Sequence, residues 1–185
     1  MRQIEGYQAF VPNALPIDPP LAFDQEFLSL LSKAVRALGL LDGSIQSLPN
    51  AELFIFMYVR KEAVLSSQIE GTQASIGDVL EVEAKVFDPR HPNDVEEVLN
   101  YVAALNNGLA RLDSLPLSLR LLREIHAELM QGVRGQHLTP GEFRTSLNWI
   151  GASGATIADA IFVPPPPTEL MGLLGNLESY LHQDD

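Results

Sequence analysis

An all-α bundle interrupted by one hairpin-like excursion is the fold this sequence predicts. Apolar residues recur at three- and four-residue spacing over most of the 185 residues. Capping residues and glycines bracket those stretches. Between residues 148 and 163 the helical period disappears, and small, glycine-containing, partly β-branched residues take over.

Residues 1–22 carry Pro12, Pro16, Pro19 and Pro20 and predict an extended arm across the domain. From Phe23 the pattern turns helical: Phe27, Leu31, Val35 and Leu38 share a face, and Gly43 is the expected stop. Asn50 can cap a helix over residues 51–70, with Gly71 placed for a left-handed C-cap. The first half of that helix, LFIFMYV, is apolar nearly all round, which predicts burial on several sides and a central place in the fold. Ser75-x-x-Asp78 opens a short helix to about Lys85. Residues 88–92 form a loop. Asn93, with Glu96 three residues on, starts a helix whose stripe is Val95, Val98, Leu99, Val102, Leu105, Leu109 and Leu112. The next helix runs from Ser118 to Gln131, with Leu122, Ile125 and Leu129 inward and Gly132 after it. Pro164 to Pro167 lead into a last helix that turns Leu170, Leu173, Leu174, Leu177 and Leu181 to the core.

Composition narrows the function. The absence of cysteine excludes disulfides and thiolate metal sites. The net charge of −12, with basic residues scattered, argues against nucleic-acid binding. The N-terminus lacks a basic stretch followed by an apolar run, and no apolar run is long enough for a bilayer. No membrane association is expected, and the cytoplasm is the predicted compartment. Walker, Rossmann, Gly-x-Ser-x-Gly and His-Glu-x-x-His patterns are missing. His91 reads as a solvated loop residue, His126 as a satisfied, semi-buried one, and His137 and His182 have no charged neighbour in sequence.

One constellation stands out at the end of the 51–70 helix. On a helical wheel Ser66 and Glu70 continue the stripe begun by Ile55 and Val59, so an inward apolar stripe ends polar. A carboxylate in a last helical turn opposes the helix dipole, by roughly 0.3–1 kcal/mol at an exposed site. Such a group on an inward stripe wants a cation. On spacing alone, a solvated glutamate beside an ordinary glycine cap is the simpler account, because serine and glutamate four apart are common on helices.

The wording of the sequence adds to this. Ser66-x-x-x-Glu70-Gly71 resembles the inhibitory-helix motif of the Fic/DOC family, Ser/Thr-x-x-x-Glu-Gly/Asn. It sits in Arg60-Lys61-Glu62-Ala63-Val64-Leu65-Ser66-Ser67-Gln68-Ile69-Glu70-Gly71-Thr72, which is similar to the N-terminal signature of that family. Pro140-Gly141-Glu142-Phe143-Arg144, Asn148-Trp149-Ile150-Gly151 and Phe162-Val163-Pro164-Pro165-Pro166-Pro167 resemble it too, in the same order.

The resemblance implies a Fic-like helical bundle with a β-hairpin flap at about 148–163. It divides the chain into the arm (1–22), an N-terminal Fic region (23–90) with the inhibitory helix at about 51–70, and the first part of the Fic core (91–185). Family members transfer AMP from ATP, with magnesium, to a hydroxyl side chain of a target protein. Their catalytic loop, His-Pro-Phe-x-Asp/Glu-Gly-Asn-Gly-Arg-x-x-Arg, is not in this sequence, which is expected to stop short of it. No catalytic residue and no metal ligand therefore carries over. ATP and magnesium are expected only in the full-length family protein, and this chain alone is expected to transfer no AMP. Ser66, Glu70 and Gly71 carry over as the inhibitory group at the ATP site: Glu70 would pair with the last loop arginine where the γ-phosphate belongs. Asn148, Trp149, Ile150, Gly151, Phe162 and Val163 carry over as the flap that docks the target by strand addition. The expected partners are the target hydroxyl and either the missing catalytic half or a homodimer partner. An alternative is a stand-alone, antitoxin-like protein that inhibits a Fic enzyme in trans. A helical scaffold without any link to nucleotides is a third reading, which the motifs disfavour.

Overall fold

The computed structural model describes residues 2–4, 6–86, 94–133 and 137–183, and for residues 2–4 the backbone alone. The fold is all-α. Its helices are α1 (Gln25–Gln46), α2 (Ala51–Ile69), α3 (Ile76–Glu83), α4 (Val95–Arg111), α5 (Leu119–Leu129) and α6 (Pro167–Leu181). The loop at 88–92, His91 and Asn93 lie outside the described residues.

Local chemistry sets the helix ends. Asp24, Asn50 and Ser118 each accept from the backbone N–H three residues on. Ser75 and Asp78 form the reciprocal capping box that starts α3. Each such cap contributes about 1 kcal/mol by satisfying donors that the helix cannot satisfy itself. Helix α1 runs through Gly43, where a stop was expected. A single glycine costs about 1 kcal/mol in a helix interior, which slows propagation without ending it. The helix stops at Ser47 instead, two residues before Pro49.

The centre of the bundle is α4, not α2. Ala63 and Val64 of α2, Ala74 and Val79 around α3, and Val95, Val98 and Val102 of α4 form one buried cluster. On its other side α4 meets α5 closely. A Cβ on Gly108 would come within 2.7 Å of Ile125 Cδ1, so the missing side chain allows the approach. Leu121 is fully buried there, whereas Leu122 is exposed, one step of helical phase from expectation. Arg111 and Arg120 both reach Glu124 and hold its carboxyl below the usual glutamate range, with the Arg111 hydrogen bond the larger cause. Helix α6 covers α5 with half-buried Leu170, Leu173, Leu174 and Leu177, while Leu181 is exposed.

Two apolar stretches expected inside are outside. The first half of α2, Leu53 to Tyr58 apart from half-buried Met57, is exposed, and no residue of α1 is buried. Leu109 and Leu112 at the end of α4 are exposed as well. A compact monomer of this size would expose about 8,800 Å²; this chain exposes 13611 Å². The reason is geometric. Helical periodicity defines a face, but a face is buried only where a second element reaches it, and α3 and α4 reach only the second half of α2.

The N-terminal arm begins with a small antiparallel hairpin, β1 (Arg2–Ile4) with β2 (Tyr7–Ala9), turning at Gly6 with φ +82°. Residues 148–163 form the expected excursion. Ile150 and Phe162 pair as one antiparallel bridge, and a 3₁₀ turn (Ile157–Asp159) lies between them. No described helix is long and apolar enough to cross a membrane.

Candidate functional site

The end of α2 is fixed by backbone bonds that only a left-handed residue permits. Glu70 is the C-cap, and Gly71 follows with φ +97°. The Gly71 N–H donates to Gln68 O (3.0 Å) and the Thr72 N–H to Ser67 O (3.2 Å), the paired bonds of a Schellman ending. The Gln68 amide then reaches forward to Ala74 O (3.0 Å), and the Gln73 N–H donates to Asp94 Oδ2 at the start of α4. The turn between α2 and α3 is thus tied to both of its neighbours.

Glu70 therefore sits at a rigid helix end, and its side chain is exposed rather than directed inward. Ile55, the start of the expected inward stripe, is exposed too, and Val59 is half-buried. The inward face of α2 is instead the one that carries Arg60, Ala63 and Val64. The Glu70 carboxylate makes no hydrogen bond or ion pair with any described residue. Ser66 does not support it: its hydroxyl donates one turn back, to Glu62 Oε1 (2.8 Å).

Beside this helix end lies an open cleft of about 810 Å³, lined by Ser66, Ser67, Glu70 and Thr72, by Glu97 and Tyr101 of α4, and by residues at the end of α5. Two carboxylates and several hydroxyls line it, and no basic side chain does so among the described residues. Such a lining repels a triphosphate and suits a guanidinium or ammonium group. By itself it does not fit ATP. Among the described residues, no group of three or more His, Asp or Glu side chains is placed to hold a metal ion.

The flap is built from other residues. The Ile150 N–H donates to Phe162 O (2.9 Å), and Ile150 O accepts from Ile161 (2.8 Å) and Phe162 (3.2 Å). Asn148, Trp149, Ile150, Gly151 and Phe162 are exposed. Val163 is not: it is buried against Tyr7 and Ala9. Among the described residues, the leg at 148–151 makes backbone pairs only on its Phe162 side.

The Pro140–Arg144 motif proves to be a latch. Gly141, with φ +81°, donates its N–H to His126 Nδ1 (2.8 Å), and its carbonyl accepts from Arg123 Nε (2.7 Å). His126 is thus satisfied as expected, although exposed. Arg123 also pairs with Glu142, and Arg144 reaches the carbonyls of Ser146 and Pro165. His182 contacts Leu117 O (3.0 Å).

Sequence reasoning overlooked Arg60, Thr72, Glu97 and Tyr101. Arg60 and Thr72 lie inside the quoted signature, which was the available signal. Glu97 and Tyr101 join the site only through the packing of α4 on α2, and no local pattern announces that.

Residues 28–110 match the family model for the Fic/DOC family N-terminal region. The match contains α2, its glycine ending and the Glu97 and Tyr101 wall of the cleft, and it ends before the flap. No curated protein matches the chain.

Proposed function

We propose, from the premise that residues 28–110 are a Fic/DOC family N-terminal region, that this chain is the regulatory and target-docking part of a protein adenylyltransferase. The enzyme transfers AMP from ATP to a protein hydroxyl on a catalytic loop that this sequence does not contain. The observation that carries the reading is the unpaired Glu70 carboxylate on the rim of a cleft without basic side chains among its described lining.

The mechanism is competition for one cation. An arginine of the catalytic loop can pair with the Glu70 carboxylate or with the γ-phosphate, and charge-assisted pairs of either kind are strong and often bidentate. While Glu70 holds the arginine, ATP binds without productive alignment. Ser66 contributes less, since its hydroxyl is directed to Glu62. The free backbone edge at 148–151 accepts an extended target segment.

The test joins the chain to a loop-bearing Fic core and measures self-labelling with ATP. Glu70→Gly raises the rate by about 10-fold or more, as expected for removing about 1.4 kcal/mol of competing charge-assisted pairing, and Ser66→Ala changes it far less. If Glu70→Gly labels no faster while still binding ATP, Glu70 is only a helix end. The uncovered apolar faces of α1 and α2 favour a second reading, inhibition of a separate catalytic partner. In that case the wild-type chain, added in trans, slows labelling by a loop-bearing enzyme, and Glu70→Gly does not.

A further inference from the structure

The flap is poorly secured by itself. One bridge pair closes it, and isolated two-stranded hairpins are marginal in water. What holds it comes from the other end of the chain. Tyr7 and Ala9, two residues apart on β2 and so on one face, are buried against Val163, and Ile157 and Ala160 of the flap pack on the same cluster. The Phe10 N–H donates to Val163 O at 2.8 Å, which continues the pairing from β2 onto the second leg of the flap. The Phe10 and Phe162 rings lie 5.9 Å apart. Five residues further on, Leu15 is gripped by α6: its N–H donates to Asn176 Oδ1 (2.7 Å), and its carbonyl accepts from Asn176 Nδ2 (2.9 Å).

We infer that residues 7–15 are a positioning strap for the flap. They fix the 161–163 leg between β2 and Ile150, so that the outer leg at 148–151 is held as a free edge in one register. The two-bond fork at Asn176 anchors the strap to the bundle, so the docking edge is oriented relative to the helices and does not swing about Pro164. The functional part of this inference rests on the target-docking reading above.

The experiment uses the full chain with Phe10→Ser and, separately, Asn176→Ala. Phe10 is half exposed and Asn176 lies outside the buried cluster, so neither change touches the core of the bundle. Hydrogen exchange at the Ile150, Ile161 and Phe162 amides is expected to rise about 10-fold or more, with α4 amides unchanged. Trp149 is the sole tryptophan, so its emission reports the flap alone and is expected to shift to the red. Exchange within about 2-fold of wild type in both variants overturns the strap. Target labelling by the loop-bearing chain reads the docking premise separately. Faster flap exchange with unchanged target labelling supports the strap and overturns docking at this edge.

Discussion

The Arg60–Glu83 pair offers the sharpest test of the bundle. Arg60 is 7% exposed and forks onto Glu83, Nε to Oε2 at 2.7 Å and Nη2 to Oε1 at 2.5 Å. Its Nη1 donates to Phe56 O (3.1 Å), and the guanidinium lies over the Phe56 ring, 3.2 Å from the centroid. Glu83→Ala leaves this cation buried with one carbonyl and one ring. Removing one partner of a fully buried pair costs about 3–5 kcal/mol. The Glu83 side chain is 28% exposed, so water reaches the vacated position and the expected cost falls to about 2–3 kcal/mol. Arg60→Met keeps an apolar stem against Phe56 and leaves a carboxylate that can turn to water, for about 1–1.5 kcal/mol. The double variant should resemble Arg60→Met, giving a coupling of about 2–3 kcal/mol. Urea unfolding followed by far-ultraviolet circular dichroism measures all four proteins. Arg60→Met costing more than Glu83→Ala, or single losses that add within about 0.5 kcal/mol, would refute the reasoning.

Further substitutions probe other parts of the fold. Gly141→Ala places a Cβ 3.0 Å from Arg123 O and from Ala127 Cβ at φ +81°, for a loss of about 2–3 kcal/mol. A thermal melt should show a fall in Tm of about 5–10 °C, and an unchanged Tm would show that the latch carries no stability. Leu31→Ser and Leu38→Ser on exposed α1 should each cost under about 0.5 kcal/mol, against about 2 kcal/mol for Val98→Ala in the core. A loss above about 1.5 kcal/mol for either α1 variant would mean that this face is covered in solution.

Features that depend on neighbours in sequence were legible. Asn50 and Ser75 cap helices because their side chains reach backbone donors three residues away. Gly71 and Gly132 mark helix ends because both take positive φ. The flap showed as a loss of period, and a single bridge is what so short a β-branched stretch supports. Features that depend on distant packing were not legible. The all-round apolar run of α2 reads the same whether or not anything covers it. Leu121 and Leu122 differ by one step of phase, and which of them is buried depends on how the neighbouring helices pack. The strap is carried by Tyr7, Ala9 and Phe10, too short a pattern to register, and its partners lie more than a hundred residues away.

The candidate site illustrates the same division at higher resolution. That Glu70 ends a helix could be read from Gly71, but not that the fold would leave it alone. The last turn of α2 holds no basic residue, Ser66 is committed to Glu62, and the cleft beside Glu70 brings a second carboxylate from α4. The helix dipole opposes a carboxylate at this end, by roughly 0.3–1 kcal/mol at an exposed site. A cation arriving at the rim would gain a charge-assisted hydrogen bond, about 1.5–3 kcal/mol. A phosphate would instead meet the two carboxylates of the lining. A preference of this rim for cation over anion would follow from where Gly71 stops the helix and from which side of α4 faces it, before any partner is specified.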